Sequence, residues 1–548
     1  MADDTTKNYA EISRERAHLM KQKIEQEDAA EASRQRLEKF LGRKMRPDEG
    51  FAAAERELVK RCLMENQLGD ARLFAYFNAG RVLHALPSKT WFRWTGHFWE
   101  EDRDLTHRDG IASVVAAYHR LTDVVLEEIR TPGLDKEVLR EKQALWKVLG
   151  KKLFSLCAER HRDAIIRLAI KDLGDLKLAV DEGELDKDLD LLACRNGVID
   201  LRTGGLRPGR PEDLITRHVN VEWQGIDAPA SLWERTLSEI FDGQPEVRDF
   251  VQRAVGYALL GRPRERKMFI FIGRGANGKT LLEQVLADVL GDLAVTIRSE
   301  VLLGRSYGGE SATPELFRLK NTRLAFMSEP PKGLKFNEEL IKRLTGMDRI
   351  NARRMYGDAE QFDPTHTFFL AANTLPSSDG TDRAFWSRLL VVEFKSRFLS
   401  PREMAETGKA EGVFEIDLAR RERLRAEAPG ILAWIVRGCL EYQDRGLDPP
   451  DAVLRRTQQE RDDVDYVGAY FGERVEFRKE EPEKFRIAAA DLYQDFEEWF
   501  VQNVSKKAPS PNRFARLVKA RFPDLERRKI SRNMYLGVRF KDPLKGVA

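Results

Sequence analysis

The stretch KMFIFIGRGANGKT, residues 267–280, constrains the fold more than any other part of the chain. A short apolar run, Met268 to Ile272, leads into Gly273, and the loop from there to Thr280 satisfies the pattern Gly-x4-Gly-Lys-Thr. A helical segment, LLEQVLADVLG, follows it. A buried strand, a glycine-rich loop and a helix in this order predict backbone N–H groups that converge on a phosphate at a helix N-terminus. The chain is therefore expected to be an α/β protein.

Each residue type in this loop has a role in binding a nucleotide phosphate. Glycines let the backbone approach phosphate oxygens closely, Lys279 is expected to reach the β- and γ-phosphates, and the Thr280 hydroxyl is expected to bind Mg²⁺. The residues predicted to hold the nucleotide are Gly273, Gly275, Ala276, Asn277, Gly278, Lys279, Thr280 and Leu281.

A second apolar strand, in RLAFMSEPPKG, ends in an acidic side chain. The run from Leu324 to Met327 leads into Ser328 and Glu329. A carboxylate at the end of a neighbouring strand can polarise an attacking water or hold Mg²⁺, so Glu329 is the candidate for both roles. Ser328 stands where a metal-binding Asp is usual, which leaves the metal to Thr280, water and Glu329. The alternative is that Glu329 only caps the junction between strand and loop.

A third strand, THTFFLAAN, ends at Asn373, and DRAFWSRLLVVEF follows it with Arg383 and Arg388. The amide could orient the lytic water or sense the γ-phosphate, although Asn at a strand end is also a common turn former. Either arginine, donated across a subunit interface, could stabilise charge on the transferring phosphoryl group. An ordinary surface ion pair is the alternative for each arginine.

The segment between the second and third strands has the pattern of a helix followed by a hairpin. The helix is predicted over Glu338–Leu344, and two extended pieces then flank the turn Tyr356-Gly357-Asp358. Arg353, Arg354 and Tyr356 would lie on or near the hairpin loop. Basic and aromatic side chains there could grip a single-stranded nucleic-acid backbone in the pore of a ring.

The C-terminal segment is basic, with 13 Lys and Arg against three Asp and Glu from Lys506 to Ala548. Its order of helix, helix and short β ribbon predicts a small winged-helix module. The alternative is a solvated charged face. The residues predicted to contact DNA in this module are Arg513, Arg516, Lys519, Arg527, Arg528 and Lys529.

Composition excludes several other classes of protein. The whole chain carries 93 Lys and Arg against 90 Asp and Glu, so a uniformly basic coat protein is excluded and any nucleic-acid surface must come from local charge segregation. No apolar run approaches the roughly 18 residues of a membrane span, and the first residues do not form a signal peptide. The cysteines are widely spaced, which argues against a disulfide framework or structural zinc and favours a reducing cytoplasm. They are Cys62, Cys157, Cys194 and Cys439.

Taken together and in order, GRGANGKT, RLAFMSE, KRLTGMDRINAR, FFLAAN and DRAFWSRLLVVEF resemble the superfamily 3 helicases of the AAA+ class. The likeness is greatest to the helicase half of phage and plasmid primase-helicases, which are related to the poxvirus-type primase-helicase. NGVIDLRTG and TWFRWTGHFWEED resemble the region that precedes the ATPase in that family. The likeness covers the chain from about Asp70 to its end.

The resemblance implies a ring, usually a hexamer, that hydrolyses ATP with Mg²⁺ between subunits and translocates 3′ to 5′ on single-stranded DNA. Forked duplex DNA and a separate primase or polymerase would be its partners in phage or plasmid-type replication. It assigns Lys279 and Thr280 to phosphate and Mg²⁺, Glu329 to water activation and Asn373 to sensing. Arg388 is the first choice for the finger from the next subunit, and Arg383 is the second.

This sequence departs from the family pattern in three places. Gly346-Met347-Asp348 replaces a common Gly-Gly-Asp, and Tyr356-Gly357 stands where some viral relatives carry Lys-His at the hairpin tip. The residues before Asp70 are too few for a primase domain, so primase activity is not expected. The runner-up function is a DNA-binding AAA+ ATPase that acts as an initiator or defence switch without unwinding. A P-loop kinase of small molecules is a third class, and the basic tail and long hairpin argue against it.

The expected architecture is a P-loop AAA+ ATPase core with a mixed N-terminal region and a C-terminal winged-helix-like domain. The sequence predicts a charged helical arm over residues 1–70, a mixed α/β domain over 71–245, the ATPase over 246–395, a helical lid over 396–481 and the basic module over 482–548.

Overall fold

The computed structural model describes residues 30–46, 48–171, 173–303, 314–329, 335–353, 359–376, 378, 382–408, 410–478, 480–503, 508–530 and 532–541. These residues form a mixed α/β fold in two compact units. One unit is Met1–Lys187 with Gly209–Thr216, and the other is Asp188–Pro208 with Arg217–Ala548. Across these described ranges, no helix combines the length and apolar character needed to cross a membrane.

The first unit packs helices around a small mixed sheet. Its helices are α1 (residues 30–41), α2 (Phe51–Met64), α3 (Asn66–Asn78), α4 (Ile111–Arg130), α5 (Lys136–Ser155) and α6 (Glu159–Lys171). Its strands are β1 (Val82–Leu86), β2 (Thr90–Trp94), β3 (Trp99–Glu101) and β4 (Ala179–Asp181), in the order β3-β2-β1-β4. Strand β4 runs parallel to β1, and the other pairs are antiparallel.

Helices α1 and α2 lie in the segment predicted as a charged helical arm, and their apolar side chains belong to the core of this unit. Leu37, Leu58 and Cys62 are fully buried in the same cluster as the other helices. These helices carry few large apolar residues, but small residues let them pack closely. A Cβ on Gly69 of α3 would lie 1.8 Å from the Cys62 carbonyl oxygen of α2, so only glycine allows this approach. Residues 1–29 lie outside the described residues.

Aromatic and polar residues alternate in KTWFRWTGHFWEED, which predicts a hairpin around Thr95-Gly96, and this hairpin is present between β2 and β3. Trp94 faces Trp99 across the pair, and the Thr95 N–H donates to the Phe98 carbonyl oxygen at 3.0 Å. Gly96 has a φ of +109°, which the turn requires and which disfavours side chains. Trp99 is 2% exposed, so this aromatic side chain serves the core of the sheet.

The second unit begins with a small antiparallel sheet and contains a five-stranded parallel one. Its strands are β5 (Leu191–Cys194), β6 (Gly197–Asp200), β7 (Gly205–Arg207), β8 (Met268–Ile272), β9 (Ala294–Ile297), β10 (Leu324–Met327), β11 (Ile350–Arg353), β12 (Ala359–Phe362), β13 (Thr367–Ala372), β14 (Leu389–Glu393), β15 (Arg397–Leu399), β16 (Val413–Glu415), β17 (Val475–Phe477), β18 (Arg486–Ala488), β19 (Arg527–Lys529), β20 (Asn533–Leu536) and β21 (Val538–Phe540).

Helices cover both faces of the parallel sheet and form the C-terminal part of the unit. They are α7 (Ser231–Ile240), α8 (Pro245–Leu259), α9 (Lys279–Leu290), α10 (Pro314–Phe317), α11 (Glu338–Leu344), α12 (Arg383–Trp386), α13 (Pro401–Thr407), α14 (Arg420–Arg425), α15 (Ala428–Arg445), α16 (Asp451–Val464), α17 (Tyr466–Arg474), α18 (Ala489–Asn503) and α19 (Pro511–Arg521).

The parallel sheet has the strand order β14-β8-β13-β10-β9. Alternate side chains of its strands enter two different cores: Phe269 and Phe369 lie in one, and Ile270 and Phe368 lie in the other. Both faces are therefore covered, which is why these strands read as continuous apolar runs in the sequence. The order places β13 between β8, which leads into the glycine loop, and β10, which Glu329 follows.

The unit boundaries differ from the domain boundaries predicted from the sequence. Strands β5–β7 and helix α7, expected in a domain ending at residue 245, share a core with α8 and α15. The Arg323 guanidinium before β10 donates to the Leu189 carbonyl oxygen at 2.8 Å and so ties this segment to the parallel sheet. Packing between elements that are distant in sequence therefore sets the start of the second unit. No local change in composition marks that position in the sequence.

The C-terminal module also begins earlier than residue 482. Val467 and Tyr470 of α17 share a core with α18 and α19, and β17 pairs with β21. The predicted order of helix, helix and β ribbon is present as α18, α19 and the antiparallel pair β19–β20, with β18 on the other side of β20.

Candidate functional site

The glycine-rich loop connects β8 to α9 at the carboxyl edge of the parallel sheet, where open α/β sheets bind their ligands. The segment after β14 holds this loop: the Phe398 N–H donates to the Ala276 carbonyl oxygen at 2.7 Å. A Cβ on Gly273 would lie 2.4 Å from the Phe394 carbonyl oxygen, so no side chain fits there. Gly278 directly precedes α9 with a φ of +89°.

Lys279 is enclosed by the loop it follows. Its side chain is 6% exposed, and Nζ donates to the Gly273 carbonyl oxygen at 2.6 Å and to Asn277 Oδ1 at 3.1 Å. Burial lowers the pKa of Lys279, while the negative charges of Glu329 and Glu283 oppose that shift. The ammonium group is thus held at the centre of the loop by acceptors that phosphate oxygens can replace.

Glu329 and Asn373 form the opposite wall of the site. They follow β10 and β13, which are adjacent parallel strands, so both side chains lie at the carboxyl edge. Asn373 Nδ2 donates to Glu329 Oε1 at 2.6 Å, and both residues are exposed. The structure therefore brings an amide-held carboxylate to the same edge as Lys279.

The residues at this edge fit a magnesium ion that arrives with a phosphate. Thr280 and Ser328 are exposed at the edge beside Glu329. Within the described ranges, no group of three or more His, Cys, Asp or Glu side chains could hold a metal by itself. Mg²⁺ is commonly bound by one or two protein ligands together with substrate phosphates and water, and Thr280 with Glu329 match that pattern.

Glu283 is an ionisable residue at this site that the sequence reasoning missed. It lies one helical turn after Lys279, and its Oε1 is enclosed without a hydrogen-bond partner. Burial raises the pKa of Glu283 to about 8, and the positive charge of Lys279 opposes that shift. The available signal was its spacing of four residues from Lys279, which places both side chains on one face of α9.

A basic cleft of about 410 Å³ adjoins the loop and was also missed. Its lining residues are Ile272, Gly273, Arg274, Asn373, Glu393, Phe394, Lys395, Ser396, Arg397 and Arg456. Arg456 projects from α16, where its Nε lies 3.8 Å from Glu393 Oε1. The cleft thus continues the positive charge of the loop toward the helices that follow the sheet.

Arg388 and Arg383 lie away from this edge. The Arg388 carbonyl oxygen accepts from the Met268 N–H at 2.7 Å, which places Arg388 at the start of β8, roughly 15 Å from its end by the rise of a strand. Arg388 Nη1 donates to Thr345 Oγ1 at 3.1 Å, and its Nε is enclosed without a partner. Burial and the charge of Arg266 lower the pKa of Arg388. The exposed Arg383 begins α12 near the same amino edge.

The predicted nucleic-acid residues are only partly described. Strands β11 and β12 form an antiparallel pair that ends with Arg353 opposite Ala359, and Arg353 is exposed. Arg354 and Tyr356, predicted at the tip of this hairpin, lie outside the described residues.

The C-terminal module presents most of its predicted basic residues to solvent. Those that are exposed are Arg516 and Lys519 on α19 and Arg527, Arg528 and Lys529 on β19, whereas Arg513 is half-buried. Arg528 forms ion pairs of 2.6 Å with both Glu483 and Glu526. Some of the basic charge on the β ribbon is therefore neutralised within the module.

The site and sheet define a mixed α/β protein with a candidate phosphate-binding edge, and comparison with known proteins gives its relatives. The family model described as "D5 N terminal like" matches residues 71–242, and the model described as a family of unknown function, DUF5906, matches residues 271–388. The solved apo structure of the NrS-1 C terminal region has 11% sequence identity and a TM-score of 0.33, covering 56% of this chain and 75% of that one.

Two viral proteins, each named "Putative helicase", align with most of the chain. The protein from Acanthamoeba polyphaga mimivirus is 28% identical over 452 residues, which are 80% of this chain and 46% of that protein. The protein from Frog virus 3 is 23% identical over 528 residues, which are 79% of this chain and 54% of that protein. The chain spans about half the length of these relatives. Its residues 71–242 are similar to the D5 N terminal-like family, and most of the chain is similar to these viral proteins.

Proposed function

We propose that this protein is an ATP-dependent DNA helicase of superfamily 3, with an AAA+ core and a C-terminal winged-helix-like domain. One observation carries the proposal: the carboxyl edge of the parallel sheet brings the buried Lys279 together with the Glu329–Asn373 pair. The names of the viral relatives support the same class of activity.

In this proposal, the chain binds ATP and Mg²⁺ at the glycine loop. Lys279 would exchange its acceptors in the loop for phosphate oxygens. Thr280 and Glu329 would hold the metal, whose charge would neutralise that of the phosphates. Glu329 also orients the attacking water, because Asn373 fixes one carboxylate oxygen and leaves the other available. The groups proposed to act in hydrolysis thus all belong to the carboxyl edge of the parallel sheet.

The distance between Arg388 and this edge supports a site shared between subunits. Within one chain, the guanidinium lies at the amino end of the strands and cannot act on a phosphate at their carboxyl end. If Arg388 completes the site, then it must come from a neighbouring copy, and repeated head-to-tail contacts of this kind form a ring when the rotation between copies closes. A hexamer that moves 3′ to 5′ on single-stranded DNA follows from the family resemblance.

Two surfaces are proposed to contact DNA. The β11–β12 hairpin would grip the single strand, and α19 with β19 would hold phosphates of the duplex. If α19 contacts only phosphates, then the double variant Arg516→Ala/Lys519→Ala should weaken binding equally on all sequences and reduce the slope of log affinity against log salt by about 2. An unchanged salt slope would remove α19 from the DNA surface.

The test of the catalytic proposal measures ATP turnover with and without single-stranded DNA for wild type, Lys279→Ala and Arg388→Ala. We expect DNA to raise turnover of the wild type and both variants to lose it. An equal mixture of the two variants should regain part of the activity, because some interfaces then pair an intact Lys279 with an intact Arg388. Arg402→Ala is the matched control, since this arginine is 91% exposed on α13.

Two outcomes would contradict this mechanism. Turnover that ignores DNA would leave an ATPase without a nucleic-acid motor, and wild-type turnover by Arg388→Ala would reject the shared site. Displacement of a labelled strand from forked duplex DNA then separates a helicase from an initiator or switch that binds DNA without unwinding it.

A further inference from the structure

We propose that Glu283 supplies the carboxylate that serves the magnesium ion in place of the acid absent at position 328. This inference rests on the proposed nucleotide site and assigns a further residue to it. In this role, Glu283 accepts hydrogen bonds from water molecules of the metal and thereby holds the metal against Thr280.

The placement of Glu283 on α9 is the first observation. It lies three residues after Thr280 and four after Lys279, and side chains at these spacings share one face of a helix. Helical side chains lean toward the N-terminus of their helix, which directs Glu283 toward the glycine loop. The residue is therefore on the side of α9 that the phosphate approaches.

The second observation is an enclosed carboxylate oxygen without a partner. Glu283 Oε1 has no hydrogen bond, although buried polar atoms in folded proteins almost always have one. Leaving such an atom unpaired is destabilising, so an acid at this position needs a compensating role. Water bound to a metal is a donor that would satisfy it.

The third observation is the sequence of the neighbouring strand end. Ser328 stands where an acid would otherwise help to hold the metal, and both Ser328 and Glu329 are exposed beside the loop. Glu329 is already engaged by Asn373 at 2.6 Å. Without Glu283, a metal at this edge would have only the Glu329 carboxylate, which also accepts a hydrogen bond from Asn373. Glu283 would contribute a second carboxylate.

Binding of phosphate would also change what Glu283 faces. Lys279 provides the positive charge that acts on Glu283, and its Nζ is bonded to Gly273 and Asn277 in this structure. When the ammonium group of Lys279 binds phosphate oxygens, its attraction for Glu283 becomes weaker. A metal ion bound with the nucleotide would supply a positive charge in place of Lys279, so Glu283 would have a partner whenever the site is filled.

The test measures the affinity of Mn²⁺, as a substitute for Mg²⁺, for the complex of the full chain with a non-hydrolysable ATP analogue. Free Mn²⁺ is followed by electron paramagnetic resonance. Glu283→Gln keeps the shape of the side chain and removes its charge, and we expect it to weaken Mn²⁺ binding by about tenfold or more. Asp288→Asn is the matched control, because it removes an acid from the same helix that pairs with Arg421.

A rescue variant separates a role at the metal from a role in folding. Placing the usual acid at the strand end, in Glu283→Gln/Ser328→Asp, should restore most of the Mn²⁺ affinity. Nucleotide binding by Glu283→Gln in EDTA should stay close to wild type, and its melting temperature should not fall below that of wild type. Mn²⁺ affinity of Glu283→Gln equal to that of wild type would overturn the proposal. So would a loss of affinity that accompanies a lower melting temperature and is not rescued. Failure of the wild type to bind Mn²⁺ with nucleotide would reject the proposed function itself.

Discussion

Gly278 and Gly275 lie in the same loop, but the structure predicts that alanine destabilises the protein at Gly278 and is tolerated at Gly275. Gly278 has a φ of +89°, and a Cβ there would lie 2.6 Å from Ile240 Cγ1 and 2.9 Å from its Cδ1. Ile240 is fully buried in the core of the second unit, so it cannot move aside freely. Gly275 has no atom within 4 Å of the position of an added Cβ.

The cost of Gly278→Ala follows from these two contributions. A left-handed backbone costs a non-glycine residue about 1–2 kcal/mol. Forcing a methyl group into a packed core costs about 1–3 kcal/mol. Alanine lowers the entropy of the unfolded chain, which returns about 0.4–1 kcal/mol. The expected loss in the free energy of unfolding is therefore about 2–4 kcal/mol for Gly278→Ala, whereas Gly275→Ala should lie within about 1 kcal/mol of wild type.

Urea unfolding without nucleotide measures this difference. Tryptophan fluorescence is a suitable signal because Trp233 and Trp434 are buried in the same core as Ile240. The double variant Gly278→Ala/Ile240→Ala removes the side chain that the new methyl group meets. Its loss relative to Ile240→Ala alone should be smaller than the loss from Gly278→Ala in wild type. Equal stability of Gly278→Ala and Gly275→Ala would refute the reasoning.

Three further predictions test the cores and the edge of the sheet. Asp70→Ala should destabilise the first unit by about 3–5 kcal/mol, because it removes the counter-charge 2.9 Å from the buried ammonium group of Lys152. In urea unfolding, Asp70→Asn/Lys152→Met should recover part of this loss. Asn373→Ala should lower kcat for ATP by about tenfold or more while nucleotide affinity in EDTA stays unchanged, because Glu329 loses the amide that orients it. The folded chain keeps a proton on Glu283 between its ordinary pKa of 4.5 and about 8, so wild-type stability should fall relative to Glu283→Gln by about 1.4 kcal/mol per pH unit across this range. A stability difference that does not depend on pH would contradict the raised pKa.

The features that local sequence patterns determine were predictable. The helix Glu338–Leu344 is present at the predicted residues, and the Asn337 side chain caps it by accepting from the Leu340 N–H. The β2–β3 hairpin likewise forms where aromatic and polar residues alternate around Gly96. In both cases, residues within a few positions of one another carry the information, so no knowledge of the tertiary fold is needed.

Features that depend on packing between distant segments could not be predicted in this way. The segment of β5–β7 is held to α15 by contacts such as the Gln443 side chain, which donates to the Leu201 carbonyl oxygen at 2.7 Å across more than 200 residues. Burial of Glu283 has the same origin, because a glutamate in a helix is ordinarily solvated and only the surrounding core decides otherwise. The roles assigned to Lys279, Glu329, Asn373 and Arg388 stay predictions.

The interleaving of the two units along the chain limits how such a protein can be assembled and rearranged. The polypeptide passes between them at residues 187–188, 208–209 and 216–217. During synthesis, residues up to 187 of the first unit emerge from the ribosome before residues 209–216, which supply the carbonyl group of Pro211 to Trp99 Nε1. The first unit therefore cannot complete its bonding until β5–β7 of the second unit have also been made. Recombination at one crossover near residue 245 would separate β5–β7 from the core that they cover. A gene exchange that preserves both cores must therefore carry residues 188–208 together with the second unit.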